Sequence, residues 1–418
     1  MLGRWTRQRL QRHTVGLPWL RPPTRTIILD RHACKARPQK SIGSLKHPPS
    51  RCLFISAIPP ALVPPTIFVG LLLGLWAWKC FWIVILQDKL LYLAWLPPLA
   101  RSETIESYAA ESKPVLWKSS QIRSLDGTKL TVCEGHIPVS RRPGEISDPN
   151  RKRKSVVICY FQGNGGSTPM RLPLLSQVLR STRELASSTP LNHDIDYTIV
   201  ALSYRGYWTS SGRAAQPGIE LDAQAFLQWV SKTYSAPDID LEVVLWGHSL
   251  GSAIASSATV TYLSRLRNEG LNNQGPPLSI TGLILEAPTS SVKEMLISLY
   301  PQKWLPYRYL WPFLRSHWSN ATSMERMAHL RDQFRNEKDI DQIRPPRSIP
   351  PILLLSAEND EVIPPHVPGD LNRSGRDLGL DIQWTDVRKA MHIEAPLKVD
   401  GRKALVNFIL KASSPGSR

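Results

Sequence analysis

Val243-Val244-Leu245-Trp246-Gly247-His248-Ser249-Leu250-Gly251-Ser252-Ala253-Ile254-Ala255 is the stretch that decides the fold. Its first four residues are apolar and β-prone, which predicts a short buried strand. From Ser252 the residues are small and helix-compatible, and a helical stretch runs to Arg267. Between the two, Gly247-His248-Ser249-Leu250-Gly251 fits G-x-S-x-G, a strained strand-to-helix turn that lifts a serine above a sheet edge. The glycines give that turn conformations and close approaches that larger residues resist. An ordinary glycine-containing turn is the competing reading, and the flanking strand and helix weigh against it.

Outward from this elbow, short β-rich runs alternate with helical stretches. The runs are Lys129–Cys133, Val156–Phe161, Tyr197–Ser203, Leu241–Trp246, Gly282–Glu286, Ile352–Ser356 and Asp381–Asp386. Pro217–Tyr234, Ser252–Arg267 and Arg402–Lys411 are the clearest helices. Such alternation predicts βαβ units and an α/β fold with a mostly parallel central sheet flanked by helices.

A serine hydroxyl needs a base to become a nucleophile. In chains with this elbow the partners follow in the order serine, acid, histidine. Past the apolar run Ile352–Ser356 stands Ala357-Glu358-Asn359-Asp360-Glu361. Asp360 is the best-placed acid, with Glu358 and Glu361 as alternatives. Two histidines follow, His366 and His392. His366 belongs to the same loop or the next helix. His392 lies between the last strand and the final helix, where a base at the sheet's top edge would sit. The oxyanion donors expected are the N–H of Leu250, next to the serine, and that of Asn164. Asn164 lies in the glycine-rich loop Phe161-Gln162-Gly163-Asn164-Gly165-Gly166-Ser167. That loop has neither a Walker lysine nor G-x-G-x-x-G, so phosphate cradling is disfavoured.

The chain has 418 residues, with 52 Lys+Arg against 34 Asp+Glu, 42% hydrophobic and 21% charged. That composition excludes wholesale disorder, and five cysteines exclude a disulfide scaffold. No Cys/His cluster suggests a metal. Residues 1–51 hold twelve Lys/Arg and one acid, Asp30, and the remainder carries a net charge of only +7. No basic stripe with stacking aromatics marks the folded part, so nucleic acid is not expected as a partner.

Cys52 to Trp78 is an uncharged run of 27 residues. It predicts a transmembrane anchor at 66–86, opened by Pro64-Pro65, with Trp76, Trp78 and Trp82 as an aromatic belt. Lys79 is the misfit in that span, expected to snorkel towards the interface. The basic tail, 1–60, predicts a cytosolic N-terminus and a lumenal catalytic domain, with the endoplasmic reticulum as the favoured compartment. An Arg-rich, acid-poor start also fits a mitochondrial location. Residues 87–120 read as a juxtamembrane linker whose apolar part, Leu90–Leu99, can lie on a membrane surface. The catalytic domain is expected at 121–413, with a lid-like insertion at 288–349 rich in aromatics. Two N-x-[ST] sequons, at Asn320 and Asn372, would be glycosylation sites in a lumen.

With these motifs in place, the chain resembles the α/β-hydrolase superfamily, and within it the single-anchor, membrane-bound abhydrolase-domain proteins of fungal type. The resemblance rests on Gln87-Asp88-Lys89-Leu90-Leu91-Tyr92, Gly163–Gly166, Ser203-Tyr204-Arg205-Gly206-Tyr207, Gly218–Asp222, Gly247–Gly251, Asn359-Asp360 and Met391-His392. It implies a serine hydrolase acting on acyl esters or thioesters of lysophospholipids, monoacylglycerols or acylated proteins, with no cofactor. Relatives commonly carry His-Gly where this chain has Gln162-Gly163. Arg205 is expected to pair with Asp222 as scaffold. A catalytically inactive, membrane-tethering protein of the same fold is the alternative reading.

Overall fold

The computed structural model describes residues 59–138, 153–188, 195–269, 277–337 and 348–414. Most of the basic tail therefore lies outside the described residues, as do Cys34, Cys52 and part of the insertion. The described residues from Pro65 onward form one compact unit.

Among the described residues the strands are β1 (Leu116–Arg123), β2 (Lys129–His136), β3 (Arg153–Phe161), β4 (Ile195–Ser203), β5 (Ile239–His248), β6 (Ser279–Glu286), β7 (Ile352–Ala357) and β8 (Ile382–Val387). The α-helices are α1 (Val63–Ile85), α2 (Gln87–Tyr92), α3 (Ala109–Ser112), α4 (Leu172–Ser187), α5 (Gln216–Tyr234), α6 (Leu250–Glu269), α7 (Val292–Leu299), α8 (Asn320–Glu337), α9 (Val367–Asp377) and α10 (Val399–Ala412). The sheet order is β1-β2-β4-β3-β5-β6-β7-β8. β1–β2 and β2–β4 pair antiparallel, and every pair from β4–β3 onward is parallel.

Period-two alternation sorts the central strands between two cores. In β3, Val157, Cys159 and Phe161 join Phe226 of α5 and Ile254 of α6 in one cluster. Val156, Ile158 and Tyr160 join Leu175 of α4 and Phe408 of α10 in the other. The parallel strands are buried on both faces, which is why they read as near-continuous apolar runs. β1 escaped the sequence reading because it is an edge strand in which Ile122 is its one buried side chain.

Arg205, after β4, is locked into this frame. Its Nη2 donates to Asp222 Oδ1 at 2.7 Å, its Nη1 to Asp126 Oδ2 at 2.8 Å and its backbone N–H to Asp222 Oδ2 at 3.0 Å. The expected Arg205–Asp222 pair is present, and it extends to Asp126, whose carboxyl the guanidinium holds well below its usual range. A Cβ on Gly218 would meet Arg205 Nη1 at 2.4 Å, so only glycine leaves room for the guanidinium.

α1 is apolar apart from Lys79 and Thr66, and none of its residues is buried. The candidate span runs from Pro60 to Ile85, 26 residues, long and apolar enough for a single membrane anchor. Lys79 has aromatic neighbours. Its Nζ lies 4.3 Å from the centre of the Tyr307 ring and 5.7 Å from that of Tyr300, both in the insertion. Beyond α1, Tyr92 is buried at 1% exposure. Its hydroxyl lies 2.9 Å from Ser316 Oγ and accepts the Trp318 indole N–H at 2.9 Å. Burial pushes this phenol up to about 12.

Candidate active site

β5 ends at His248, α6 begins at Leu250, and Ser249 between them has φ +53°. A left-handed non-glycine residue is strained and needs a surrounding that enforces it. Here a Cβ on Gly247 would lie 2.2 Å from the Gly251 carbonyl oxygen, and one on Gly251 would lie 2.1 Å from that of Phe161. The two glycines let the turn close on itself and on the end of β3. The Ser249 N–H donates to the Glu286 carbonyl at 2.8 Å, which fixes the elbow to β6.

The acid loop follows β7. Asp360 Oδ1 accepts the N–H groups of Val362 and Ile363, each at 2.8 Å. His392 Nδ1 lies 3.0 Å from Asp360 Oδ1 and 2.8 Å from Oδ2, and both side chains are almost wholly buried. Burial alone would raise the Asp360 carboxyl, but the bonds from His392 and the two backbone N–H groups outweigh it and hold the carboxyl below its usual value. The alternative acids bond to the histidine loop's backbone and not to its imidazole. Glu358 accepts the Lys389 N–H at 2.8 Å, and Glu361 accepts the His392 N–H at 3.0 Å. His366 is exposed at the start of α9, away from this cluster.

The oxyanion-loop candidate lies over the elbow. A Cβ on Gly163 would sit 2.8 Å from His248 Nδ1 and 3.2 Å from Ser249 Cβ. Asn164 is exposed, whereas Leu250 is buried at the start of α6. Gly165 and Gly166, at φ +69° and +73°, donate their N–H groups to the carbonyls of Tyr92 at 2.9 Å and Leu96 at 2.6 Å. Gln162 Oε1 accepts the Thr168 hydroxyl at 3.0 Å, while its buried Nε2 has no partner among the described residues.

Two groups below the serine were not singled out by the sequence reading. The His248 ring centre is 5.1 Å from that of His392, and its Nε2 is 3.4 Å from the His392 carbonyl oxygen. Glu286, fully buried, accepts the Trp246 indole N–H at 2.8 Å. Its other oxygen is 3.9 Å from His248 Nε2. Burial pushes Glu286 up to about 7 and, with the Arg171 charge, holds His248 well below its usual range. His248 is therefore held neutral, and Glu286 keeps its proton well above the usual carboxylate range. Their signal in the sequence was a polar residue ending each of two apolar strands.

A sheet parallel except for β2, an elbow after β5, an acid after β7 and a histidine after β8 together define an α/β-hydrolase. The chain belongs to that superfamily. It is 27% identical over 285 residues to the alpha/beta hydrolase domain-containing protein WAV2 of Arabidopsis thaliana, covering 68% of this chain and 73% of that protein. It is also 27% identical over 212 residues to the lysophosphatidylserine lipase ABHD12 of Danio rerio, covering 50% of this chain and 44% of the zebrafish protein. The match thus spans less than half of the zebrafish relative. Among solved structures, the Pyrococcus furiosus esterase Pf2001 aligns with a TM-score of 0.46 at 12% identity, over 75% of this chain and 95% of the esterase. No protein-family model matches the chain.

Proposed function

We propose that the chain is a membrane-anchored serine hydrolase that cleaves acyl esters or thioesters of lipid-like substrates through an acyl-enzyme. The observation that carries this reading is the bifurcated Asp360–His392 contact, with the His392 ring 5.1 Å from that of His248, the neighbour of a left-handed Ser249. His392 Nδ1–H donates to Asp360, which leaves Nε2 as the base. Ser249 Oγ attacks the acyl carbonyl carbon as His392 Nε2 takes the hydroxyl proton. The carbonyl oxygen gathers charge, and the N–H groups of Leu250 and Asn164 receive it. Asn164 is preferred within its loop because the next two N–H groups are already committed to Tyr92 and Leu96. His392 then protonates the leaving alcohol or thiol, and water, deprotonated by the same imidazole, releases the fatty acid.

The lipid-like substrate class is supported by the apolar helix and by the zebrafish relative, a lysophosphatidylserine lipase. Monoacylglycerols and acylated proteins present the same reacting group. The proposed organisation is a hydrolase domain at 121–413 with a lid at 288–349, carried on a single span at 66–86. A lumenal domain in the endoplasmic reticulum is the proposed placement, with a mitochondrial membrane as the competitor.

A fluorophosphonate probe tests the chemistry. Labelling of the wild type that is lost in Ser249→Ala is the expected result. An unlabelled wild type would leave a binding or tethering protein as the better reading.

A further inference from the structure

The insertion after β6 climbs along the anchor helix. Arg315 Nη2 donates to the carbonyls of Val84 and Ile85, each at 2.9 Å, and the Phe313 carbonyl accepts Gln87 Nε2 at 3.1 Å. One to two turns further up α1, Tyr307 and Tyr300 cover Lys79. Further still, the Trp304 ring centre lies 6.0 Å from that of Trp76. The same segment turns large apolar side chains outward. Trp304 is 67% exposed, Leu299 65% and Phe313 60%, with Tyr309 and Trp311 also exposed.

Length decides where these side chains lie. At 1.5 Å per residue, α1 rises about 20 Å from Val63 to Trp76, and about 24 Å if counted from Pro60. A hydrocarbon core is about 30 Å thick. The helix below the Trp304 contact is too short to cross it alone, and tilting the helix shortens its reach further. On the proposed span, 66–86, the last turns of α1, with the insertion packed on them, share the membrane. Scattered apolar side chains on a surface need no explanation, but a contiguous rim that continues a membrane span does.

The geometry points to a second membrane-binding element: the rim Leu299, Trp304, Tyr309, Trp311 and Phe313 is a lipid-docking surface set into the interfacial layer of the bilayer that α1 crosses. The occupant is lipid of that bilayer. Lys79 is then a charge at the boundary, shielded by Tyr300 and Tyr307. The segment that carries the rim is also bonded towards the candidate oxyanion loop. Trp318 bonds Tyr92, and the Tyr92 carbonyl holds Gly165. The rim would then hold the candidate active site next to the bilayer that supplies an acyl substrate. This substrate route rests on the hydrolase reading above, whereas the docking itself rests on α1 crossing a bilayer.

The test uses the full chain in phosphatidylcholine nanodiscs whose acyl chains carry a doxyl quencher. A single fluorescent amino acid replaces Trp304 or Phe313 in turn, with Phe68 of α1 as the membrane control and Trp384 of β8 as the water control. Quenching at 304 and 313 comparable to that at 68, and absent at 384, is the expected result. Quenching at 68 alone would overturn the docking surface, because the rim would then face water. Loss of quenching at 68 as well would overturn the anchor and the proposal with it. In parallel, the double variant Trp304→Glu/Phe313→Glu should hydrolyse a bilayer-embedded long-chain monoacylglycerol about tenfold more slowly, since it forces charge into lipid. It should keep its rate on a water-soluble short-chain ester. Equal rates on the long-chain substrate would overturn the lipid route, and a wild type inactive on both esters would sink the hydrolase reading while leaving the quenching result standing.

Discussion

The backbone carbonyl of Tyr92 accepts the N–H of Gly165 at 2.9 Å. Tyr92 stands seven residues past the end of α1, and Gly165 belongs to the loop that covers Ser249. The Tyr207 hydroxyl bonds the same carbonyl. The stretch that leaves α1 therefore shapes the loop proposed to receive the oxyanion, and the insertion after β6 holds that stretch through Ser316 and Trp318.

Tyr92→Phe tests this linkage. The variant leaves the Trp318 indole N–H and the Ser316 hydroxyl without their buried partner, at a cost of about 1–3 kcal/mol in a denaturant melt in detergent. If the loop is positioned through Tyr92, kcat on a short-chain ester falls while KM stays near the wild-type value. A loss of stability with kcat unchanged would reduce Tyr92 to a scaffold role.

Substitution of the acid separates the three carboxylates. Asp360→Asn is expected to lower turnover about 10⁴-fold, by analogy with serine proteases. Glu358→Gln and Glu361→Gln should each have much smaller effects, because they bond backbone N–H groups of the histidine loop. Steady-state rates on one ester suffice, and a collapse in Glu361→Gln instead would reassign the acid.

Glu286 makes stability depend on pH. Its carboxyl is raised from 4.5 to about 7 in the folded chain. Between those values the folded state keeps a proton that the unfolded state has released, so stability falls as pH rises through that window. At roughly 1.4 kcal/mol per unit, the loss is on the order of 3 kcal/mol. Glu286→Gln keeps an acceptor for the Trp246 indole and removes the titration. Urea midpoints at pH 5 and pH 8 should lie closer together in the variant, and an unchanged gap would place the titration elsewhere.

The sequons are not equivalent. Asn320 is fully buried, and its amide bonds Ser252 Oγ at 2.8 Å, the Thr289 carbonyl at 2.7 Å and Ser256 Oγ at 2.7 Å. It fastens α8 to the helix behind the elbow and offers no amide to a glycosyl donor in the folded chain. Asn372, partly exposed on α9, is the one of the two left accessible. For a lumenal domain, a mobility shift on endoglycosidase treatment should vanish in Asn372→Gln alone. Asn320→Gln should instead destabilise the domain by about 1–3 kcal/mol. A shift that survives Asn372→Gln would contradict the buried placement of Asn320.

Strands buried on both faces announce themselves in a sequence, because each is a run of Val, Ile and Leu whatever its partners are. The elbow was readable for a similar reason: Gly247 and Gly251 are a local requirement of a local turn. Asp360 and His392 could be chosen by order along the chain, and the structure brings them within 2.8 Å. What stayed hidden depends on distant pairing. Nothing beside Lys79 hints at Tyr300 and Tyr307, more than two hundred residues on. Asn320 looks like any surface sequon until Ser252 and Ser256 meet it. β1 carries too few buried side chains to leave a pattern, and its strand character comes from its ladder with β2.

Arg205, Gly218 and Asp222 form a trio in which no single replacement is neutral. A side chain at 218 displaces a guanidinium pinned at several points, a shorter residue at 205 strands a wholly buried carboxylate, and a neutral residue at 222 leaves the cation only its exposed acidic partner Asp126. Drift at these positions must pass through a poorly folded intermediate unless two or three changes arrive together. In any lineage descended from this chain the three should be inherited as a block, and the identity of two should foretell the third.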